Sequence, residues 1–84
     1  MPKKSLNECK SGKDFVDYSV KQGARVRYGH GSHQMVITSK GATPIPVHGN
    51  HDLGTGLRHN IIKTLLTLGI SCVLLFLVIS NLVS

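Results

Sequence analysis

Eighty-four residues carrying ten Lys and Arg against four acids, Glu8, Asp14, Asp17 and Asp52, give a formal charge of +6. A chain this short supports one small domain with a shallow core, which excludes a multidomain enzyme, and the positive balance suits polyanions such as nucleic acid or acidic lipid. Cys9 and Cys72 lie near opposite ends without CxxC or zinc-finger spacing, and no N-terminal signal peptide is visible, so reduced thiols and a cytoplasmic location are expected.

Residues 1–10 are polar and lysine-rich without apolar period, which predicts a loose basic arm. Ser11 then suits an N-cap with Asp14 three residues on; Phe15, Val16 and Val20 form an apolar stripe, and Gly23 suits the position after a helix end. Residues 24–28 alternate, with Ala24, Val26 and Tyr28 on one face and Arg25 and Arg27 on the other, as in a half-buried strand. A turn over 29–32 leads to a second strand, 33–38, in which His33, Met35 and Ile37 share one parity and Gln34, Val36 and Thr38 the other. Residues 39–42 read as a hairpin turn. A third strand over 43–47 contains Pro44 and Pro46, which cannot donate to a ladder and so confine it to a sheet edge.

Residues 48–56 form a loop, after which Leu57, Ile61, Leu65 and Leu68 recur at helical spacing and Gly69 can end the helix. The predicted order is helix, three antiparallel strands, helix, over residues 11–70. This is an α+β fold laid out like a double-stranded-RNA-binding domain, with two helices on one sheet face.

Residues 71–84 make an apolar tail. From Thr64 to Ser84 no residue is charged, a length able to span about 30 Å as a helix, but a span starting there would take half of the second helix from the sheet. The tail is therefore expected to pack on its own domain, a second copy or a protein partner. Membrane contact is the alternative.

The most chemically loaded stretch is Tyr28-Gly29-His30-Gly31-Ser32-His33-Gln34-Met35. Histidine as a residue type exchanges protons near physiological pH, and flanking glycines keep it accessible. If the face shared by Met35 and Ile37 is buried, His33 is instead a core-edge histidine. His30-Gly31-Ser32-His33 and His48-Gly49-Asn50-His51 repeat an H-G-x-H pattern, so four imidazoles could ring a zinc or copper ion. Such ligands need oriented acceptors behind them and only Asp52 is near in sequence, so no metal is expected.

Gly31-Ser32-His33 after an arginine-bearing strand, then Ile45-Pro46-Val47-His48-Gly49-Asn50, Leu53, Leu57-Arg58, Ile61-Ile62-Lys63 and Leu68-Gly69-Ile70, resemble the HicA-type toxins of HicA/HicB toxin-antitoxin pairs. Many members continue G-S-H with a second histidine where this chain has Gln34. The resemblance implies an endoribonuclease that cleaves mRNA without metal or other cofactor and is neutralised by a HicB-type antitoxin. It places the family's catalytic histidine on His33.

RNA carries its own nucleophile in the 2′-hydroxyl, so cleavage asks for a base, an acid and cationic donors. His33 suits the first two roles. Arg25, Arg27 and Lys40 suit neighbouring phosphates, Ser32 with the Gly31 and Gly29 N–H groups suits a phosphate oxygen, and His48 is expected among the residues that bind RNA. Two further readings stand beside this one: an RNA-binding module without catalysis, and a membrane-tethered remnant governed by its tail.

Overall fold

A computed structural model describes residues 5–29, 31–49 and 51–71 of the chain. After a 3₁₀ turn at Leu6–Glu8 come α1 (Gly12–Lys21), β1 (Arg25–Tyr28), β2 (His33–Thr38), β3 (Gly41–Pro46) and α2 (Thr55–Thr67). The strands form one antiparallel sheet in the order β1-β2-β3, so the proline-bearing β3 is an edge strand as its chemistry requires.

Local chemistry sets the helix ends. The Ser11 hydroxyl accepts from the Asp14 N–H at 3.2 Å while the Asp14 carboxylate accepts from the Ser11 N–H at 3.3 Å, a reciprocal cap that satisfies two donors otherwise left open. At the far end Gly23, at φ 97°, donates to the Val20 carbonyl, and Ala24 to that of Ser19. α2 stops the same way, with Gly69 at φ 93° donating to Leu66 and Ile70 to Leu65. A left-handed glycine followed by a buried apolar residue closes both helices, and Ala24 and Ile70 each enter the core.

The core is Phe15, Val16 and Tyr18 of α1, Val36 and Ile45 of the sheet, and Ile61 and Leu65 of α2, with Leu6, Cys9, Ala24 and Ile70 around them. Strand alternation places Val26, Val36 and Ile45 toward this core and Arg25, Arg27, His33, Met35, Ile37, Ala42, Pro44 and Pro46 on the opposite face.

Several expectations are corrected. Residues 5–10 are not a loose arm: Leu6 and Cys9 are wholly buried, and the Lys10 carbonyl accepts from the Leu53 N–H at 2.8 Å. Charge density along the chain hid one leucine and one cysteine that the shallow core takes up. Val20 and Leu57 stay outside the core, Leu57 being 43% exposed, and α1 turns Tyr18 and Ser19 inward instead. The Ser19 hydroxyl is satisfied there by the Phe15 carbonyl at 2.8 Å. The β2–β3 turn is only Ser39-Lys40, and β3 starts at Gly41, paired with Thr38. The apolar tail beyond Ser71 lies outside the described residues.

Gly12, the first residue of α1, sits against the end of β3, where a Cβ would run into the Pro46 carbonyl. Helix propensity alone favours alanine over glycine by up to about 1 kcal/mol. The close approach reverses the sign, and Gly12→Ala is expected to destabilise by about 1–3 kcal/mol, the usual scale for overpacking. Urea unfolding checks this, and a raised midpoint would contradict the packing.

Candidate functional site

The β1–β2 loop closes where the Gly29 N–H donates to the His33 carbonyl at 3.0 Å, with Gly31 at φ 60° inside it. The Gly29 N–H is therefore taken up by the fold and unavailable to a phosphate, contrary to expectation. His33 is the first residue of β2, opposite Pro46, and its imidazole is exposed. The face it shares with Met35 and Ile37 is the one away from the buried core, so it is not a core-edge histidine.

Arg27 pairs with Met35 and Arg25 with Ile37, which puts both guanidinium-bearing side chains on the His33 face. Arg27 is the diagonal neighbour of His33, a relation that typically spans about 7–8 Å, and Arg25 lies one repeat further along. Both arginines are exposed. Met35 and Ile37, half-buried between the flanking strands, give that face an apolar floor.

Past His33 the β2–β3 pairing extends one step, the Val47 N–H donating to the Ser32 carbonyl at 2.8 Å. This brings His48 beside the G-S-H stretch, with the Ser32 hydroxyl 3.4 Å from His48 Nε2. The His48 carbonyl accepts from the His51 N–H at 3.1 Å, and Gly49 at φ 59° turns the chain. The two H-G-x-H segments thus meet at one end of the sheet. His30 and Asn50 lie outside the described residues; among those described, no group of three or more His, Cys, Asp or Glu gathers as a metal would need.

The match to the family model for the HicA toxin of bacterial toxin-antitoxin spans residues 12–66, well over half of the chain and from the first residue of α1 to the last turn of α2. The chain belongs to the HicA toxin family. No curated protein and no solved structure matches it significantly.

Within this HicA toxin the departure at Gln34 falls on the side of the sheet opposite His33. Gln34 pairs with Tyr28 and Ile45 and shares the parity of Val36, so the residue at this position lies off the His33 face. Lys40 does not join the cluster. It occupies the β2–β3 turn at the other end of the sheet, five residues of strand or roughly 17 Å beyond the level of His33, and its side chain runs past Gly69. There it borders a depression of about 370 Å³ lined also by Gln22, Thr38 and Leu68.

Sequence reasoning missed three ties. Arg58, reaching from α2, donates through Nε to the Cys9 carbonyl at 3.2 Å and fastens the N-terminal segment. The Tyr18 hydroxyl and the Gln22 amide both donate to the Ser71 carbonyl, at 2.7 and 3.0 Å, while the Ser71 N–H donates to Gln22 Oε1 at 2.6 Å. The third is the Ser32–His48 pair. The H-G-x-H repeat was its signal, but repetition alone cannot say that two segments meet. Among the described residues no helix is long and apolar enough to cross a membrane.

Proposed function

We propose that this HicA toxin is a metal-independent endoribonuclease acting on mRNA in the cytoplasm, with His33 as the general acid/base, and that a HicB-type antitoxin neutralises it by covering the His33 face. What supports the reading most directly is an exposed imidazole held on a rigid strand beside Arg27 and Arg25, on the sheet face that the helices leave open. Attack by a neighbouring 2′-hydroxyl needs a proton acceptor within reach of that oxygen and cations near the pentavalent phosphorus. His33 supplies the first and Arg27 the second. Arg25 meets the next phosphate along the strand, while Gly31 and Ser32 border the phosphate from the β1–β2 loop and His48 borders it from just past β3. The need for a 2′-hydroxyl restricts the reaction to RNA. Incubation of purified protein with single-stranded RNA in excess EDTA tests it. Cleavage is expected, and RNA bound but left intact would make the protein a binding module instead.

Phosphate contacts should also appear in the salt dependence of binding. In a His33→Ala background that leaves RNA whole, changing Arg25 and Arg27 to Gln is expected to flatten the slope of log Kobs against log [salt] by about 1.4, two contacts at about 0.7 each for a single strand. An unchanged slope would place the RNA elsewhere.

A further inference from the structure

Transesterification of RNA moves two protons at two places. One leaves the attacking 2′-oxygen, the other reaches the departing 5′-oxygen, and in an in-line displacement these oxygens lie on opposite sides of phosphorus. One imidazole cannot stand at both sites at once, so His33 alone leaves the second proton to water. A positioned donor there is commonly worth a further 10²–10⁴-fold.

The geometry points to His48 as that donor, a role beyond holding phosphate and one that rests on the ribonuclease reading above. His33 starts β2 and His48 follows β3 by two residues, so the two histidines stand at the same end of the sheet, one on β2 and one just past the adjacent β3. Both are exposed. The glycines beside them leave room for a substrate: among the described residues a Cβ at Gly31 or Gly49 would meet nothing within 4 Å. Among the described residues, His48 is the imidazole that touches the Gly31-Ser32-His33 stretch, through the Ser32 hydroxyl at 3.4 Å from Nε2.

That hydroxyl is suited to a group that must change its protonation. A serine oxygen accepts from Nε2–H of an imidazolium and still accepts from it in the neutral tautomer that remains once Nδ1–H has given up its proton. Ser32 can therefore hold the His48 ring in either state, leaving Nδ1 for the substrate. A distance of 3.4 Å is at the long end for such a bond, as is usual before substrate tightens a site.

Neutral His33 takes the 2′-hydroxyl proton as the O2′–P bond forms. Protonated His48 gives its proton to the 5′-oxygen as the P–O5′ bond breaks. The products are a 2′,3′-cyclic phosphate and a 5′-hydroxyl, and the two imidazoles exchange protons with water to begin again.

A substrate whose leaving group needs no proton tests the assignment. Cleavage rates are compared for an RNA oligonucleotide and for the same oligonucleotide with sulfur at the 5′-bridging position, because thiols ionise far more readily than alcohols. His48→Gln is expected to lose at least about a hundredfold on the oxygen substrate and less than about tenfold on the sulfur one. His33→Gln should lose heavily on both. Equal losses on the two substrates in both His48→Gln and His48→Asn, or full activity of His48→Gln on ordinary RNA, would overturn the role of His48 while leaving His33 in place. A wild-type protein inactive on both substrates would overturn the ribonuclease reading and this inference with it.

Discussion

Replacing His33 by Ala or by Gln is expected to lower RNA cleavage in excess EDTA by at least about a hundredfold, the lower scale for removing a proton-transfer group. The loss should be chemical rather than structural. His33 is exposed at the start of β2 and its backbone carbonyl, which closes the β1–β2 loop, is kept in any substitution. Surface changes of this kind usually alter stability by no more than about 0.5 kcal/mol. Gln preserves much of the size and hydrogen bonding of the imidazole without its proton chemistry, so it separates catalysis from binding. RNA affinity in the two variants should stay close to wild type, since Arg25 and Arg27 remain on the same face. Cleavage by His33→Gln at the wild-type rate would remove His33 from the mechanism.

Truncating Leu6 to Ala is expected to cost about 2–5 kcal/mol, the range for emptying a filled core position. In a small domain whose total stability is of the order of 5–10 kcal/mol, this is a large share. Leu6 is 0% exposed and packs in the same cluster as Phe15, Val36 and Leu65. Its segment is held from both sides, by Arg58 Nε on the Cys9 carbonyl and by the Leu53 N–H on the Lys10 carbonyl, so the backbone resists collapsing into the space left behind. A solvated basic arm would instead show a change near zero. Urea unfolding of wild type and Leu6→Ala distinguishes the two, and coincident midpoints would return residues 5–10 to the solvent.

The sequence by itself determined what depends on near neighbours. Ser11 with Asp14, and the glycines at 23 and 69, locate helix ends through bonds between residues a few positions apart. Period-two alternation put Arg25 and Arg27 opposite Val26, and separated His33 from Gln34, before any strand had a partner. The prolines named the edge because a missing N–H is a property of the residue itself. The Gly31-Ser32-His33 and Pro46-Val47-His48 stretches carried the family, and the match over residues 12–66 bears that out.

Only the tertiary structure decided which of two faces is buried. Met35 and Ile37 are as apolar as Val36, so alternation defines two faces without ranking them. The choice came from the helices, which settle on Val26, Val36 and Ile45 and leave His33 on the open side. The same holds for Leu6 and Cys9, whose burial depends on a gap that exists only once α1 and α2 are in place. It holds too for Ser32 and His48, sixteen residues apart in the chain and brought within 3.4 Å by the β2–β3 register. Lys40, charged and close in sequence to His33, was carried to the far end of the sheet by the rise of the strand between them. Pairing across a sheet depends on contacts between distant segments, and a local pattern of residue types contains no record of them.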